Sequence, residues 1–373
     1  MTRRRGYGMA AGVLVAAGVT CGEGSGPEPL PRLVLVPPWV SIPADDALTS
    51  DTVRARFITD AGDTLPAGAV SWTSSNPGVA SVDATGLIHA HAVGQTTVRG
   101  SAGGDAASQA ITVTDPVLVS VGDIGSCLSA LDAATAALLD SIAGTVVTLG
   151  DNDYSDGTPP PAYGVCFDSS WGRHKPRIRP APGEDDRRAG SLSDYFAYFG
   201  SAAHGPTGYY AFDLGSWHIV VLNATPSVDT AQVTWLRNDL AAQSNVCTLV
   251  IAHRPRFSSG NAGSSPGLTA VFQALYDFGV EVLLSGNDHI YERFGPQAPD
   301  QSADPDSGVV QFVVGTGGKS HGGFRVPLES NSLVRDAETY GLLRLTLHPG
   351  SYDWRFVPVA GRTFTDVGTG VCH

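Results

Sequence analysis

Four short, largely apolar runs each end within a few residues on an Asp or a His, and this repetition limits the folds open to the chain. Val117–Val121 leads into Gly122-Asp123-Ile124-Gly125, and Thr145–Leu149 into Gly150-Asp151-Asn152-Asp153-Tyr154. Residues 247–252 lead into His253, and residues 280–285 into Gly286-Asn287-Asp288-His289. Runs this short, bounded by glycine turns, read as strands buried on both faces, the habit of parallel sheets. Helical stretches at 130–142, 232–242 and 268–278 lie between them. Strand and helix in alternation, with an acid or His at each strand end, is how α/β enzymes place a site at the carboxyl ends of parallel strands. One Gly-Asp pair alone is usually a turn. Four tips bearing Asp, Asp, His and His are harder to explain as turns. Further strands at 309–314 and 342–347 follow, and His348-Pro349-Gly350-Ser351 turns the chain into a hairpin partner at 352–357.

Residues 32–114 have a different rhythm. Val53, Ala55 and Phe57 alternate with polar residues, and short runs at 70–73, 80–82 and 96–99 are separated by turns such as Ser75-Asn76-Pro77-Gly78. Short strands at this spacing predict a sandwich. The stretch Trp72-Thr73-Ser74-Ser75-Asn76-Pro77, and the Gly turn near the end of the segment, resemble the bacterial immunoglobulin-like domain of group 2. That resemblance implies a module that contacts cell-surface material. His89 and His91 sit two apart on one predicted strand and read as exposed strand histidines rather than a metal clip.

The chain has 23 basic and 36 acidic residues, a formal charge of −13, and only two lysines, Lys175 and Lys319. With no basic stripe, nucleic acid is excluded as a partner, and so is an anionic membrane surface. An anionic substrate would need local positive charge, for which bound metal is the obvious source. Thr2-Arg3-Arg4-Arg5, the apolar run from Met9 to Val19 and then Cys21 read as an export signal, too short for a permanent membrane span. Cys21 followed by Gly22-Glu23-Gly24-Ser25-Gly26 resembles a bacterial lipoprotein start, with lipid on Cys21; plain secretion is the alternative. Export puts Cys127, Cys166, Cys247 and Cys372 in an oxidising setting. Of their three possible pairings, Cys127 with Cys166 is favoured because both follow loops expected to converge, which leaves Cys247 for Cys372.

Taken together, Gly122-Asp123-x-Gly125, Gly150-Asp151-x-x-Tyr154, His253-Arg254-Pro255 and Gly286-x-Asp288-His289 resemble the calcineurin-like metallophosphoesterases. Tyr154 and Tyr291-Glu292-Arg293 point to the purple acid phosphatase-like branch, as do the stretches 254–260 and 312–318. The implied fold is α/β, two packed mixed β-sheets flanked by helices, preceded by the all-β Ig-like sandwich. The expected division is a signal at 1–21, a linker at 22–31, the Ig-like domain at 32–115 and the metallophosphoesterase domain at 116–373.

The resemblance implies two metals about 3.5 Å apart sharing one aspartate. Carried over, the first would take Asp123, Asp151, Tyr154 and His289, with Asp151 bridging; a phenolate and two carboxylates suit a hard ion such as Fe³⁺. The second would take Asp151, Glu184, His253 and Asn287. Two of those positions depart from the family, which has Asn where Glu184 stands and His where Asn287 stands. The result is an oxygen-rich site shifted from Zn²⁺ toward Mn²⁺, Mg²⁺ or Ca²⁺, or left vacant. Asp185 replaces the His that helps bind and protonate the phosphate ester. Only a protonated Asp185 can donate to a leaving group, so activity is expected to be low at neutral pH and better in acid. Arg254 and Arg256 are candidates to add positive charge near the phosphate, and His321, on a glycine-rich loop, to line the pocket. His174, His204, His218, His348 and His373 read as structural or solvent-facing. The function implied is hydrolysis of a small phosphate ester by a metal-bound hydroxide, outside the cytoplasm. The alternative is a degenerate relative that serves as a binding or display protein.

Overall fold

The computed structural model describes residues 31–36, 41–43, 54–59, 61–66, 69–154, 163–225 and 228–373. The expected export signal, Cys21, nearly all of the linker, and Val53 lie outside the described residues.

In the first part, Gly94–Ala102 pairs antiparallel with Asp105–Thr114 and with Ser71–Ser74, and Ser41–Pro43 joins the far side of Asp105–Thr114. Arg32–Val36 pairs with Arg54–Ile58, and Ala80–Val82 with Ile88–Ala90. The predicted alternation holds: Ala55 and Phe57 are buried and the arginines flanking Ala55 are exposed. Phe57, Ile88, Val98, Ile111 and Val113 form a core of their own. At Ser75-Asn76-Pro77-Gly78 the Asn76 Oδ1 accepts the Gly78 N–H at 3.2 Å, an Asx turn. His89 and His91 take separate partners: His89 Nε2 lies 3.7 Å from Asp83 Oδ2, and His91 Nε2 lies 2.8 Å from Ser81 Oγ.

Residues 117–371 build two mixed sheets. The first has the order Ile178–Ala181, Thr145–Leu149, Val117–Val121, Gly341–His348, Ser351–Pro358, Val367–Val371, with its first three strands parallel. The second runs Tyr210–Leu214, Trp217–Val221, Cys247–Ile251, Val282–Ser285, Val310–Val314, Tyr291–Phe294, Ser332–Asp336, with a parallel centre from Trp217–Val221 to Val310–Val314. The parallel strands are buried almost throughout, as their apolar runs predict. One core draws Leu118, Val146 and Leu345 of the first sheet together with Trp217, Ile251 and Phe312 of the second. Truncating a fully buried aromatic there, such as Phe312, would cost about 3–5 kcal/mol.

A second core lies between the outer face of the second sheet and two helices, Thr230–Ala242 and Thr269–Asp277, through Val220, Val250, Leu236, Leu240 and Phe272. The helix Thr230–Ala242 starts where Asp229 accepts the Gln232 N–H at 2.8 Å, which satisfies one of the free N–H groups of the first turn. No helix among the described residues is long and apolar enough to cross a membrane.

Six strands of these sheets escape sequence reading: Ile178–Ala181, Tyr210–Leu214, Trp217–Val221, Tyr291–Phe294, Ser332–Asp336 and Val367–Val371. Ile178–Ala181 contains Pro180, which has no N–H to give, and it accordingly lies at the edge of its sheet. Tyr210–Leu214 edges the other sheet and is only part-buried, so its pattern is weak. Both favoured disulfides are present: Cys127–Cys166 spans 39 residues and Cys247–Cys372 spans 125. Closing loops of those lengths in the unfolded chain is worth about 4 and about 5 kcal/mol in the chain-entropy treatment. Two disulfides suit an oxidising, extracytoplasmic setting.

Candidate metal centre

Every candidate ligand follows the carboxyl end of a strand. Asp123 and Asp151 stand two residues past Val117–Val121 and Thr145–Leu149, His253 two past Cys247–Ile251, and Asn287 and His289 just past Val282–Ser285. Glu184 follows Ile178–Ala181. Asp123, Asp151 and Asn287 have φ of 62°, 48° and 67°. This left-handed turn bends each tip sharply at the strand end, at a cost of about 1–3 kcal/mol per residue that Asp and Asn bear better than most. The approach is close enough to need glycine: a Cβ on Gly183 would stand 2.1 Å from Asp151 Oδ1.

The contacts fall into two clusters. In one, Tyr154 Oη donates to Asp123 Oδ1 at 2.8 Å, and His289 Nε2 lies 3.2 Å from that hydroxyl and 3.4 Å from the carboxylate. Asp123 Oδ2 accepts the Asn287 N–H at 2.9 Å, and His289 Nδ1 pairs with Ser320 Oγ at 2.7 Å. Burial, with the charges of Asp123 and Asp151, pushes the Tyr154 phenol well up. Burial pulls the His289 imidazole down, but its bond to Asp123 outweighs this and raises it.

In the other cluster, His253 is wholly buried and its Nδ1 lies 2.7 Å from the Leu149 carbonyl. A carbonyl can only accept, so Nδ1 carries the proton and Nε2 of the neutral ring is a lone pair. Nε2 faces Glu184 Oε2 at 3.1 Å and Asp151 Oδ1 at 3.4 Å, and neither contact meets hydrogen-bond geometry. Three electron-pair donors thus converge where only a proton or a cation relieves them. In the absence of a cation, burial would lower the His253 pKa, yet the Asp151 and Glu184 carboxylates raise it well above the usual range. Burial pushes Asp151 and Glu184 up, and the His253 charge more than offsets it in both.

These donors fit a metal. Asp123, Asp151 and His253 bring ligand atoms within 4.8 Å of one another, all buried, so Asp151 joins the two clusters. Asn287 Nδ2 is buried without an acceptor, and a half-turn of that amide would present its oxygen instead.

The remaining candidates are placed unevenly. Arg254 Nε donates to Glu184 Oε1, so its charge is committed to that carboxylate. The Arg256 guanidinium lies over the Phe257 ring at 4.2 Å, outside both clusters. His321 lies against Tyr340, ring centres 3.8 Å apart, and its neighbour Gly322 donates its N–H to the His289 carbonyl at 2.8 Å. The Asp185 N–H donates to Asp151 Oδ1 at 2.8 Å, while burial and the Asp151 charge raise its own carboxyl.

Two residues were missed by sequence reasoning. Asp186 is wholly buried and accepts Gly183 N at 2.8 Å, Asn152 N at 3.1 Å, Asn152 Nδ2 at 2.9 Å and the Tyr163 hydroxyl. It therefore ties the Asp151 loop to the Glu184 loop. Lys319 Nζ lies 4.3 Å from the centre of the Tyr154 ring, and its charge acts on Asp185. Its rarity, one of two lysines, and its glycine-rich loop were the available signals.

His174, His204, His218 and His348 occupy structural or surface positions, as expected. His218, for example, sits between Asp213 and Asp239 at 2.8 Å each.

Residues 51–113 match the bacterial Ig-like domain (group 2) family. Purple acid phosphatase 22 of Arabidopsis thaliana is 31% identical over 153 residues, which covers 38% of this chain and 35% of that protein. Purple acid phosphatase 21 of the same plant is 32% identical over 152 residues, 38% of this chain and 34% of that one. The chain thus spans about a third of the length of these relatives. Purple acid phosphatase PPD1 from yellow lupin (Lupinus luteus) seeds shares the fold, with a TM-score of 0.56 at 16% identity, over 91% of this chain and 73% of that one. GAP50 of Plasmodium, described as the anchor in the inner membrane complex, has a TM-score of 0.55 at 16% identity, over 68% and 88%. The buried Asp123–Asp151–His253 group is a place to hold a metal ion.

Proposed function

We propose that this chain, a purple-acid-phosphatase-like metallophosphoesterase with a group 2 bacterial Ig-like domain, hydrolyses small phosphate esters outside the cytoplasm. The observation that carries this reading is the His253 lone pair facing the buried Asp151 carboxylate and the half-buried Glu184 carboxylate. Asp123, Asp151, Tyr154 and His289 would hold the first ion, Fe³⁺ by the hardness of its donors. Asp151, Glu184, His253 and Asn287 would hold the second, Mn²⁺, Mg²⁺, Ca²⁺ or Zn²⁺. Ions held there supply Lewis acidity toward the phosphoryl group and make water a stronger nucleophile at neutral pH.

The chain's own residues do the rest. The Leu149 carbonyl fixes the His253 tautomer, and Asp186 fixes the spacing of the two ligand loops. Lys319 brings positive charge beside Tyr154. Asp185, its carboxyl raised by burial and by Asp151, hands a proton to the leaving group. Arg254 neutralises Glu184, while Arg256 and His321 shape the surroundings. In this reading the domains divide at 115/116, the Ig-like domain contacts cell-surface material, and residues 1–21 export the chain or anchor it by lipid on Cys21.

Elemental analysis of purified protein, with hydrolysis of aryl phosphate mono- and diesters, tests this. Two ions per chain with turnover is the expected result, together with a visible Tyr154–Fe³⁺ charge-transfer band. One ion or none without turnover would leave the second reading, a binding or display protein. That reading draws on Glu184 being paired with Arg254, which neutralises that carboxylate without a metal.

A further inference from the structure

Away from the metal-binding cleft, the edge strands of the two sheets border a groove of about 760 Å³. Its walls carry Lys175, Arg179 and His204 between Phe199, Phe212 and Pro176, and no carboxylate lines it. Among the described residues neither Lys175 nor Arg179 forms an ion pair. Each instead lies against an aromatic ring: Lys175 Nζ is 4.0 Å from the centre of Tyr198, and the Arg179 guanidinium carbon 5.8 Å from that of Phe212. The nearby acid Asp168 is engaged by the Tyr198 hydroxyl at 2.5 Å. His204 stacks on Tyr210 at 4.0 Å with the rings 16° apart, which leaves its ring edge for polar contacts.

In a chain of formal charge −13 with two lysines, one lysine and an arginine facing one groove without acids is a local reversal of the field. Unpaired cations backed by aromatic faces keep their donors free while the rings offset part of their desolvation. We propose that this groove binds an anionic group, a phosphate or carboxylate carried on an apolar moiety, at a site separate from the metal-binding cleft. Arg179 and Lys175 supply charge-assisted hydrogen bonds, Phe199 and Phe212 take the apolar part, and His204 adds a polar contact. Burial and the Arg179 charge hold the His204 imidazole below its usual range, so at neutral pH it meets the ligand uncharged. Arg179 precedes Glu184 by five residues, which puts their Cα atoms within about 18 Å.

The test reads the His204 ring signals by NMR in the full chain, while phenylphosphonate, benzoate or phenol is added. None of the three is a phosphate ester, so the result does not depend on turnover. Phenylphosphonate, benzoate or both should shift the His204 signals, and phenol should not. K175A/R179A should weaken the response about tenfold or more, and K175R/R179K should keep it. The His174 ring, held 3.0 Å from the Ala136 carbonyl, reports that each variant is folded. No shift up to about 10 mM anion, an equal shift with phenol, or an unchanged response in folded K175A/R179A would each overturn the assignment. A response to both anions assigns the groove to anionic groups generally; a response to one of them narrows its ligand to that class.

Discussion

The two halves of the cleft are built on the same kind of strand tip but balance their charge differently. Around Asp123 a buried carboxylate meets a phenol, an imidazole and a backbone N–H, with Lys319 behind the phenol ring. Around Asp151 three carboxylates, Asp151, Glu184 and Asp185, meet His253 and Arg254. Against the pattern that the resemblance implies, the first half keeps each residue type. The second has acids at Glu184 and Asp185, where that pattern has Asn and His, and an amide at Asn287, where it has His; Arg254 balances Glu184. Identical backbone architecture therefore leaves the two halves with different demands for an external cation.

The sharpest way to break this comparison is to remove the residue both halves share. Asp151→Ala should lower bound metal in both halves at once, read as a loss of more than one ion per chain by elemental analysis. Loss confined to one half would mean that Asp151 does not bridge.

Asp186→Ala should follow in size. It strands buried donors on Gly183 and Asn152 and frees the two ligand loops from each other, at about 3 kcal/mol in urea unfolding. A change below about 0.5 kcal/mol would show that the loops hold their places without it.

Glu184→Asn with Asn287→His restores a neutral amide and an imidazole to the second half. Zinc affinity there should rise about tenfold or more, by competition with a chelating dye, while the first half is unaltered. Equal zinc affinity would show that these two positions do not set the metal preference.

The smallest effect uses a buried carboxylate outside the cleft. Glu281 is 2% exposed and accepts Thr248 N at 2.6 Å and His373 N at 3.3 Å, with no basic side chain in ion-pair distance among the described residues. Burial pushes its pKa from 4.5 to about 7, unlike Asp151 and Glu184, whose cations hold them down. The folded state therefore binds the extra proton, and the stability it contributes is lost as the pH rises through this window. Glu281→Gln should match the parent near pH 4.5 and exceed it near pH 8 by on the order of 1–2 kcal/mol. A parallel pair of Tm-against-pH curves would count against that account.

Much of this was legible in the chain. The four apolar runs told where parallel strands end, because a strand buried on both faces must be apolar and its tip must turn. The cysteine pairs followed from loops that converge. What stayed hidden is instructive in each case. Pro180 masks its strand because proline is tolerated at a sheet edge, and a sequence does not announce which strand is the edge. Arg254 was read as a phosphate partner, yet it bonds Glu184, 70 residues away in sequence. Asp186 follows Glu184 and Asp185 directly, and nothing local in the sequence marks it; its role comes from donors on Gly183 and on Asn152, 34 residues away.

The sequence by itself determined the residue types at the strand tips, and with them the donor chemistry of the cleft, because strand period and turn propensity are local properties. Tertiary structure decided which charges neutralise which, which carboxylate serves as a scaffold, and where Lys175 and Arg179 are left without acids. Those outcomes depend on distances and burial between segments far apart in the chain, and charge interactions change severalfold over a few ångströms and with access to water.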